Sequence, residues 1–79
     1  MRWTIRFDRE AVADLHKIER QFVSVVWKKL DAMAENPDEA SYESDEEDPS
    51  LYWTVIDGDH IIFFEIIDED RSILVVQIK

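Results

Sequence analysis

The first residues of the chain change from an alternating to a helical pattern of apolar positions. Trp3, Ile5 and Phe7 alternate with polar residues, which is the period of a strand with one buried face. Asp8 then occupies the place of a helix N-cap, where a short carboxylate accepts from free backbone N–H groups. Apolar residues recur beyond it at helical spacing, which predicts a first helix over about residues 9–19.

A second apolar stripe predicts another helix, which ends near Glu35. The stripe consists of Phe22, Val26, Leu30 and Met33, supported by Val23 and Trp27. Asn36-Pro37 ends it, because the residue before a proline disfavours the helical conformation. Residues 19–21 contain neither Gly nor Pro, so both a helical hairpin and one long helix remain open. We favour the hairpin.

Three runs rich in β-branched and aromatic residues follow a polar stretch. Residues 37–50 are typical of a loop, because their acids repel one another. The runs at 51–56, 61–67 and 73–78 are joined by short polar turns and predict a β-meander. We expect Gly58, in the first turn, to adopt a positive φ. The run 61–67 lacks alternation, which indicates a central strand covered on both faces.

Together these elements predict an α+β fold in the order β-α-α-β-β-β, with a helical hairpin packed on a mainly antiparallel four-stranded sheet. A chain of 79 residues is long enough for one small domain, which we expect to span residues 1–79. Trp3 and Trp27 are expected in the core or at its edge. The expected core consists of Ile5, Phe7, Leu15, Ile18, Phe22, Val26, Leu30, Phe63 and Val75.

Charge narrows the range of functions. The net charge is −10, and residues 30–70 hold fifteen acids and no Lys or Arg. Such a segment repels a phosphate backbone, which argues against a nucleic-acid partner. The chain has no Cys, which excludes disulfides and thiol catalysis. It has no apolar run of membrane-spanning length and no secretory signal, so we expect a cytoplasmic protein.

Three blocks of local sequence occur along this pattern. They are Ile5-Arg6-Phe7-Asp8 with Ala11, Asp14, Leu15 and Ile18; Leu30 with Ala34-Glu35-Asn36-Pro37; and Leu51-Tyr52, Gly58-Asp59 and Phe64-Glu65-Ile66. Their order and spacing resemble the RelE/ParE superfamily of toxins from type II toxin–antitoxin systems over nearly the whole chain. The resemblance implies a RelE-like fold.

The resemblance also indicates where the chemistry of the superfamily would lie. Ribosome-dependent members cleave mRNA, a reaction that needs a base, an acid and cations over the phosphate. The resemblance places their basic groups at Trp53, Val55 and Ile61, and their tyrosine at Phe64. All four side chains are apolar here. We therefore expect a toxin-like module that acts by protein binding without RNA cleavage; if the chain is an enzyme, the resemblance implies an endoribonuclease.

Two alternatives remain open. The first is an mRNA interferase (an endoribonuclease that inhibits translation) built on other groups such as His60, Arg2, Arg6 or Lys79. His60 is the one candidate for a general base, since its unperturbed pKa is close to neutral; its simpler interpretation is a residue flanking a turn. The second is a ParE-like gyrase inhibitor, which does not need the nuclease residues.

The predicted partner follows from the acidity of the chain. The resemblance implies an antitoxin-like protein, and we expect it to carry a basic amphipathic segment. The predicted partner-binding residues are Trp53, Asp45, Glu46, Glu47 and Asp48. Packing within the sheet is the competing interpretation for Trp53, and a solvated loop for the four acids. No His and carboxylate set has ligand spacing, so we expect no metal or cofactor, and a homodimer is left open.

Overall fold

The computed structural model describes residues 2–37, 41–56, 58 and 60–79. The elements in this part of the chain are, in order, β1 (Thr4–Phe7), α1 (Arg9–Lys17), α2 (Arg20–Glu35), β2 (Glu43–Ser44), β3 (Tyr52–Ile56), β4 (His60–Ile67) and β5 (Ser72–Ile78). None of the described helices is long and apolar enough to cross a lipid bilayer.

The strands form one mixed sheet in the order β1-β5-β4-β3-β2. β1 runs parallel to β5, with Thr4 opposite Ser72 and Phe7 opposite Val75, and the other neighbours are antiparallel. The predicted meander and the α+β class are therefore confirmed. The sheet has a fifth strand, β2, inside the segment predicted as a loop. A segment of two residues is too short for its apolar pattern to predict a strand. β2 forms because it pairs with the free edge of β3.

The two helices form the favoured hairpin. Asp8 caps α1, and its carboxylate accepts from the backbone N–H of Arg9 at 2.8 Å. Ile18 and Glu19 have ψ angles of 141° and 140°, so the helical path breaks there. The first helix ends at Lys17, slightly earlier than predicted, and the second ends at Glu35 as predicted.

The core lies between the helices and one face of the sheet. It consists of Ala11, Val26, Leu30, Met33, Ile56, Ile62, Phe64, Ile73, Val75 and Ile78. The prediction was wrong for Phe63, because its neighbour Phe64 is the ring that faces the helices with no exposed surface. Successive strand residues point to opposite faces, so one position decides the side.

Of the other eight members of the predicted core, three are buried and five lie at its margin. Val26, Leu30 and Val75 are buried as expected. Ile5, Phe7, Leu15 and Ile18 are only partly buried and pack against the core from outside, and Phe22 is likewise partly exposed. The buried core is therefore formed largely by other residues of the same helices and strands than those expected.

The pairing of β4 with β5 contains a β-bulge. Phe63 is opposite Gln77 and Phe64 is opposite Val75, so Val76 has no direct partner. Such a bulge changes the facing of a strand at one point. Near this end of β5 the carboxylate of Asp14, from α1, accepts from the N–H of Ile78 at 3.0 Å. A helix side chain thereby satisfies a strand donor that β1 is too short to reach.

The loop residues are also attached to the sheet. Gly58 has φ +75°, as predicted for the turn after β3, while Asp57 and Asp59 lie outside the described residues. The buried hydroxyl of Thr54 donates to the carbonyl oxygen of Ser41 at 2.8 Å. This hydrogen bond fixes the chain as it approaches β2.

Candidate functional site

The second face of the sheet carries an apolar patch that no described helix covers. Trp53 is opposite Phe63 and Val55 is opposite Ile61 in the β3–β4 ladder, so these four side chains share the face directed away from the helices. We call them the open-face patch. Val55 is 46% exposed, and the other three are partly exposed. The second face of β4 was expected to be covered as well, but no described helix lies over it.

Charged side chains border the open-face patch. The ammonium group of Lys79 lies 5.3 Å from the ring centroid of Phe63, a distance suited to a cation–π contact. Glu43 is opposite Trp53 in the β2–β3 pair, and Glu65 is two residues along β4 from Phe63. Because β2 is the edge strand, the patch has an acidic side toward that edge, whereas Lys79 borders it from the β5 side, where its backbone pairs with Ile61.

The acidic tract continues from this edge, and its four carboxylates differ in role. Asp45 accepts from the N–H groups of Glu47 and Asp48, both at 3.2 Å. Asp48 accepts from the N–H of Ser50 at 3.2 Å and from its hydroxyl at 2.7 Å. Asp45 and Asp48 therefore hold the shape of the loop. Glu46 and Glu47 are exposed and present their charge to solvent.

Three of the four positions assigned to the chemistry of the superfamily lie on one face of the sheet, and the fourth does not. Trp53, Val55 and Ile61 all lie in the open-face patch. Phe64 lies in the core, where its ring contacts those of Tyr42 and Tyr52 with centroids 5.5 and 5.9 Å away. Phe64 therefore faces the helices and does not lie in the open-face patch.

His60, the predicted base, lies on the helical side of the sheet. It is opposite Ile56, whose side chain is in the core, and its ring meets that of Phe22 edge-on with centroids 5.0 Å apart. Its Nδ1 lies 3.2 Å from the carbonyl oxygen of Lys79. The His60 ring therefore packs at the end of the hairpin and does not face the open-face patch.

The arginines named with His60 are engaged in ion pairs elsewhere. Arg2 contacts Asp31 at 2.6 Å and Glu35 at 2.8 Å, which ties the N-terminus to the end of α2. The hydrogen bond that Arg2 donates to Asp31, followed by the one it donates to Glu35, raises the pKa of Arg2 above its ordinary value. Arg6 pairs with Asp70 at 3.3 Å. The structure does not bring these cations together with His60.

One surface was not predicted from the sequence. Trp27 is 39% exposed, although it was expected in the core or at its edge. Its ring meets Phe7 edge-on with centroids 5.3 Å apart, and its outer side lines a groove of about 910 Å³ on the helical side. The signal was present in Val23 and Trp27, which are four residues apart and offset from the main stripe of α2.

Among the described residues, no group of three or more acidic or His side chains is placed to hold a metal ion.

Comparison with known proteins agrees with this geometry. The family model for the ParE toxin of the type II toxin–antitoxin system parDE matches residues 5–79. No curated protein sequence matches significantly. A chain of the RelBE2 toxin–antitoxin complex from Mycobacterium tuberculosis superposes with a TM-score of 0.87 at 19% identity, covering 100% of this chain and 98% of the other.

Two further solved structures show the same fold. The isolated RelE toxin of E. coli superposes with a TM-score of 0.81 at 19% identity, covering 96% of this chain and 81% of the other. The RelE–RelB complex from the archaeon Pyrococcus horikoshii gives 0.75 at 15% identity, with 100% and 94% covered. With a family model that spans the chain from β1 to its last residue and a RelE-like arrangement of helices and sheet, this protein belongs to the ParE toxin family of type II toxin–antitoxin systems.

Proposed function

We propose that this toxin-family module acts by binding protein through the open-face patch and does not cleave RNA. One observation carries the proposal. Trp53, Val55 and Ile61, the positions at which the superfamily resemblance places basic groups, lie together on one uncovered face, and all three are apolar. A contiguous apolar patch on a water-exposed face is typical of a protein interface.

The charges near the patch support binding over phosphate chemistry. In the described part of the chain, Lys79 and Arg6 are the cations associated with this face. Lys79 lies over Phe63, and Arg6 is held by Asp70. Cleavage by a ribose hydroxyl needs an acid, a base and cations within reach of one phosphate. The one histidine of the sheet, His60, is on the opposite side.

The partner that fits this face is an antitoxin. The similar structures from M. tuberculosis and P. horikoshii are toxin–antitoxin complexes, so the fold supports an antitoxin partner for this chain. The acids at the edge of the sheet favour a segment that carries basic residues beside its apolar anchors. Complementary charge raises the association rate, whereas the burial of aromatic anchors prolongs the complex. A cytoplasmic location follows from this role.

The partner proposal is tested by binding kinetics with the antitoxin, once it has been identified. We expect Trp53→Ala to speed dissociation by roughly ten-fold or more, as for a buried aromatic anchor. The double variant Glu46→Gln/Glu47→Gln should slow association and flatten its salt dependence, because the steering charge is removed. Val12→Ala, an exposed apolar residue of α1, is the matched control. If Trp53→Ala and Val12→Ala dissociate alike, the patch is not the interface.

The absence of RNA cleavage is tested with ribosomes programmed with mRNA. The unmodified chain should produce no cleavage above background, and its expression should not be strongly toxic. Trp53→Arg/Ile61→Arg should increase RNA affinity more than cleavage, because it restores charge without an acid and a base. Robust cleavage by the unmodified chain would establish the mRNA interferase alternative and reject our proposal.

A gyrase inhibitor is the second candidate, favoured by the match to the ParE family model. The superfamily resemblance implies that members of this branch do not need the nuclease residues, so apolar side chains at Trp53, Val55 and Ile61 are compatible with it. The test is DNA supercoiling by purified gyrase in the presence of the chain. Inhibition that disappears in Trp53→Ala would assign gyrase to the same face. Undiminished supercoiling at a large molar excess rejects this candidate.

A further inference from the structure

A small pocket lies at the end of the sheet where β1 begins and α2 ends. Its volume is about 210 Å³, and its lining consists of Trp3, Pro37, Tyr42, Tyr52, Ile66 and Asp68. Tyr52 is opposite Phe64, whose ring faces the helices, so the pocket lies on the helical side of the sheet. It shares no lining residue with the open-face patch or with the groove beside Trp27.

Three aromatic side chains contribute to the walls of this pocket, and each is half-buried. The rings of Tyr42 and Tyr52 meet edge-on with centroids 5.0 Å apart, and the ring of Tyr42 also packs on Phe64 at 5.5 Å. The backbone N–H of Trp3 donates to the carbonyl oxygen of Ala34 at 2.8 Å, which ties this residue to the end of α2. The core and the helix thus hold the aromatic walls in place, and aromatic faces attract cations.

Among the described residues that line the pocket, Asp68 is the one charged group. It is exposed, and no described residue forms an ion pair or a side-chain hydrogen bond with its carboxylate. Its neighbour Asp70 differs, because it pairs with Arg6 at 3.3 Å and accepts from the hydroxyl of Ser72 at 2.5 Å. The carbonyl end of α2 adds partial negative charge at the same pocket. The pocket therefore combines aromatic walls with a negative charge that is not neutralised.

We infer that this pocket binds an organic cation, an ammonium or guanidinium group carried by a small molecule or by a protein side chain. The rings supply cation–π attraction, and the Asp68 carboxylate supplies the opposite charge. The volume is below the roughly 300–1,000 Å³ of pockets for drug-sized ligands, so the occupant has the size of one side-chain end. A hard metal ion fits poorly, because it prefers several oxygen ligands. The inference does not depend on the function proposed for the open-face patch.

Choline and the neutral alcohol in which a tert-butyl group replaces its trimethylammonium group are the probes, because they share one shape and differ in charge. In NMR titrations of the whole chain, choline should bind roughly five- to thirty-fold more tightly than the alcohol, as expected for a cation–π contact. Its N-methyl protons should shift upfield, because they lie over aromatic rings. The indole resonances of Trp3 should respond, and those of Trp53 should not.

Two variants with matched controls locate the binding. Asp68→Asn removes the charge of the pocket and should weaken choline by roughly two- to five-fold, with no effect on the neutral alcohol. Glu69→Gln removes the same charge from the next exposed residue, which does not line the pocket, and should leave the affinity nearly unchanged. Trp3→Leu removes an aromatic wall and should weaken choline by roughly five-fold, with circular dichroism used to verify the fold. Trp53→Ala should have no effect.

Short peptides distinguish the two sources of the cation. Glycine- and serine-based peptides with one central Lys, trimethyl-lysine or Arg are compared with choline, and a norleucine peptide is their neutral control. Tighter binding of a cationic peptide than of choline would assign the pocket to a protein side chain, and the reverse to a free small molecule. Both results support an organic cation as the occupant.

Three results would overturn the inference. Equal affinities for choline and the neutral alcohol would show that charge is not recognised. Equal effects of Asp68→Asn and Glu69→Gln on choline binding would place the cation outside the pocket, and this comparison remains decisive even if Trp3→Leu fails to fold. The absence of binding by choline and by every cationic peptide would show that the pocket is not a binding site.

Discussion

Phe63 and Phe64 are adjacent in β4 and have opposite roles. Phe64 has no exposed surface and contacts Tyr42 and Tyr52, whereas Phe63 faces outward beneath Lys79. The same separation applies in α2, where Val26 is buried and Trp27 is exposed. Neighbouring residues of similar hydrophobicity thus divide between core and candidate interfaces according to the direction of their side chains.

Two leucines provide a test of the observed core. Leu30 has no exposed surface, whereas Leu15 lies at the core margin and lines the groove on the helical side. We expect Leu30→Ala to lower the free energy of unfolding by about 2 to 5 kcal/mol, and Leu15→Ala by about half as much or less. Thermal and urea denaturation followed by circular dichroism measures both. Equal losses would mean that α1 is more deeply buried than the structure shows.

A single carboxylate connects α1 to β5. Asp14→Ala removes the acceptor for the N–H of Ile78, which we expect to cost about 1 to 3 kcal/mol because a partly buried donor loses a charged partner. Asp14→Asn keeps an acceptor oxygen at the same place and should recover most of that loss. Amide hydrogen exchange at Ile78, measured by NMR, should accelerate in the alanine variant only. Equal exchange rates in both variants would exclude the hydrogen bond.

At the scale of elements, the acidic loop combines two functions in one tract. Asp45 and Asp48 accept hydrogen bonds from the loop backbone and from Ser50, while Glu46 and Glu47 extend into solvent. Asx turns of this kind depend on the side-chain oxygen more than on its charge. The contribution of these four consecutive residues to stability is therefore separable from the partner attraction that we propose for them.

The separation leads to opposite expectations for matched variants. Asp45→Ala should destabilise the chain by about 1 kcal/mol, because two backbone donors lose their acceptor, whereas Asp45→Asn should be nearly neutral. Glu46→Gln/Glu47→Gln should leave the melting temperature unchanged and alter only partner association. A drop in the melting temperature of the glutamine variant equal to that of Asp45→Ala would show that all four side chains shape the loop.

Across the whole molecule, the sheet edge and the loop are acidic, whereas the helical hairpin exposes the cations Arg20 and Lys28. The net charge of −10 on 79 residues implies self-repulsion in the folded state. The ion pairs of Arg2 with Asp31 and Glu35, and of Arg6 with Asp70, are exposed and offset little of it. Most of the acids therefore contribute together to one negative electrostatic potential around the molecule.

This negative potential predicts how the stability of the fold responds to salt. The melting temperature should rise as NaCl increases from low to physiological concentration, because the Debye length falls from about 30 Å at 0.01 M to about 8 Å. Glu46→Lys/Glu69→Lys, which lowers the magnitude of the net charge at two exposed positions, should reduce that rise. A melting temperature that falls with salt in the unmodified chain would mean that attractive pairs outweigh the repulsion.

Much of the fold was predictable because its signals are local. The alternation in residues 3–7, the cap at Asp8, the helix end before Pro37 and the positive φ of Gly58 each depend on a few neighbouring residues. The order of these elements was enough to predict the α+β class and the resemblance to the RelE/ParE superfamily. The superfamily resemblance offered Trp53 as a partner-binding residue, and the structure places it, partly exposed, on the face of the sheet directed away from the helices.

Long-range pairing decided the rest. The strand β2 depends on the edge of β3, the facing of Phe63 and Phe64 on pairing with β5 across a bulge, and the hydrogen bond of Asp14 on residues far along the chain. Trp27 is exposed because the turn of α2 that carries it packs on the sheet through its neighbour Val26. Periodicity indicates which residues share a face, but only the packing of one element on another decides which face meets the core and which meets water.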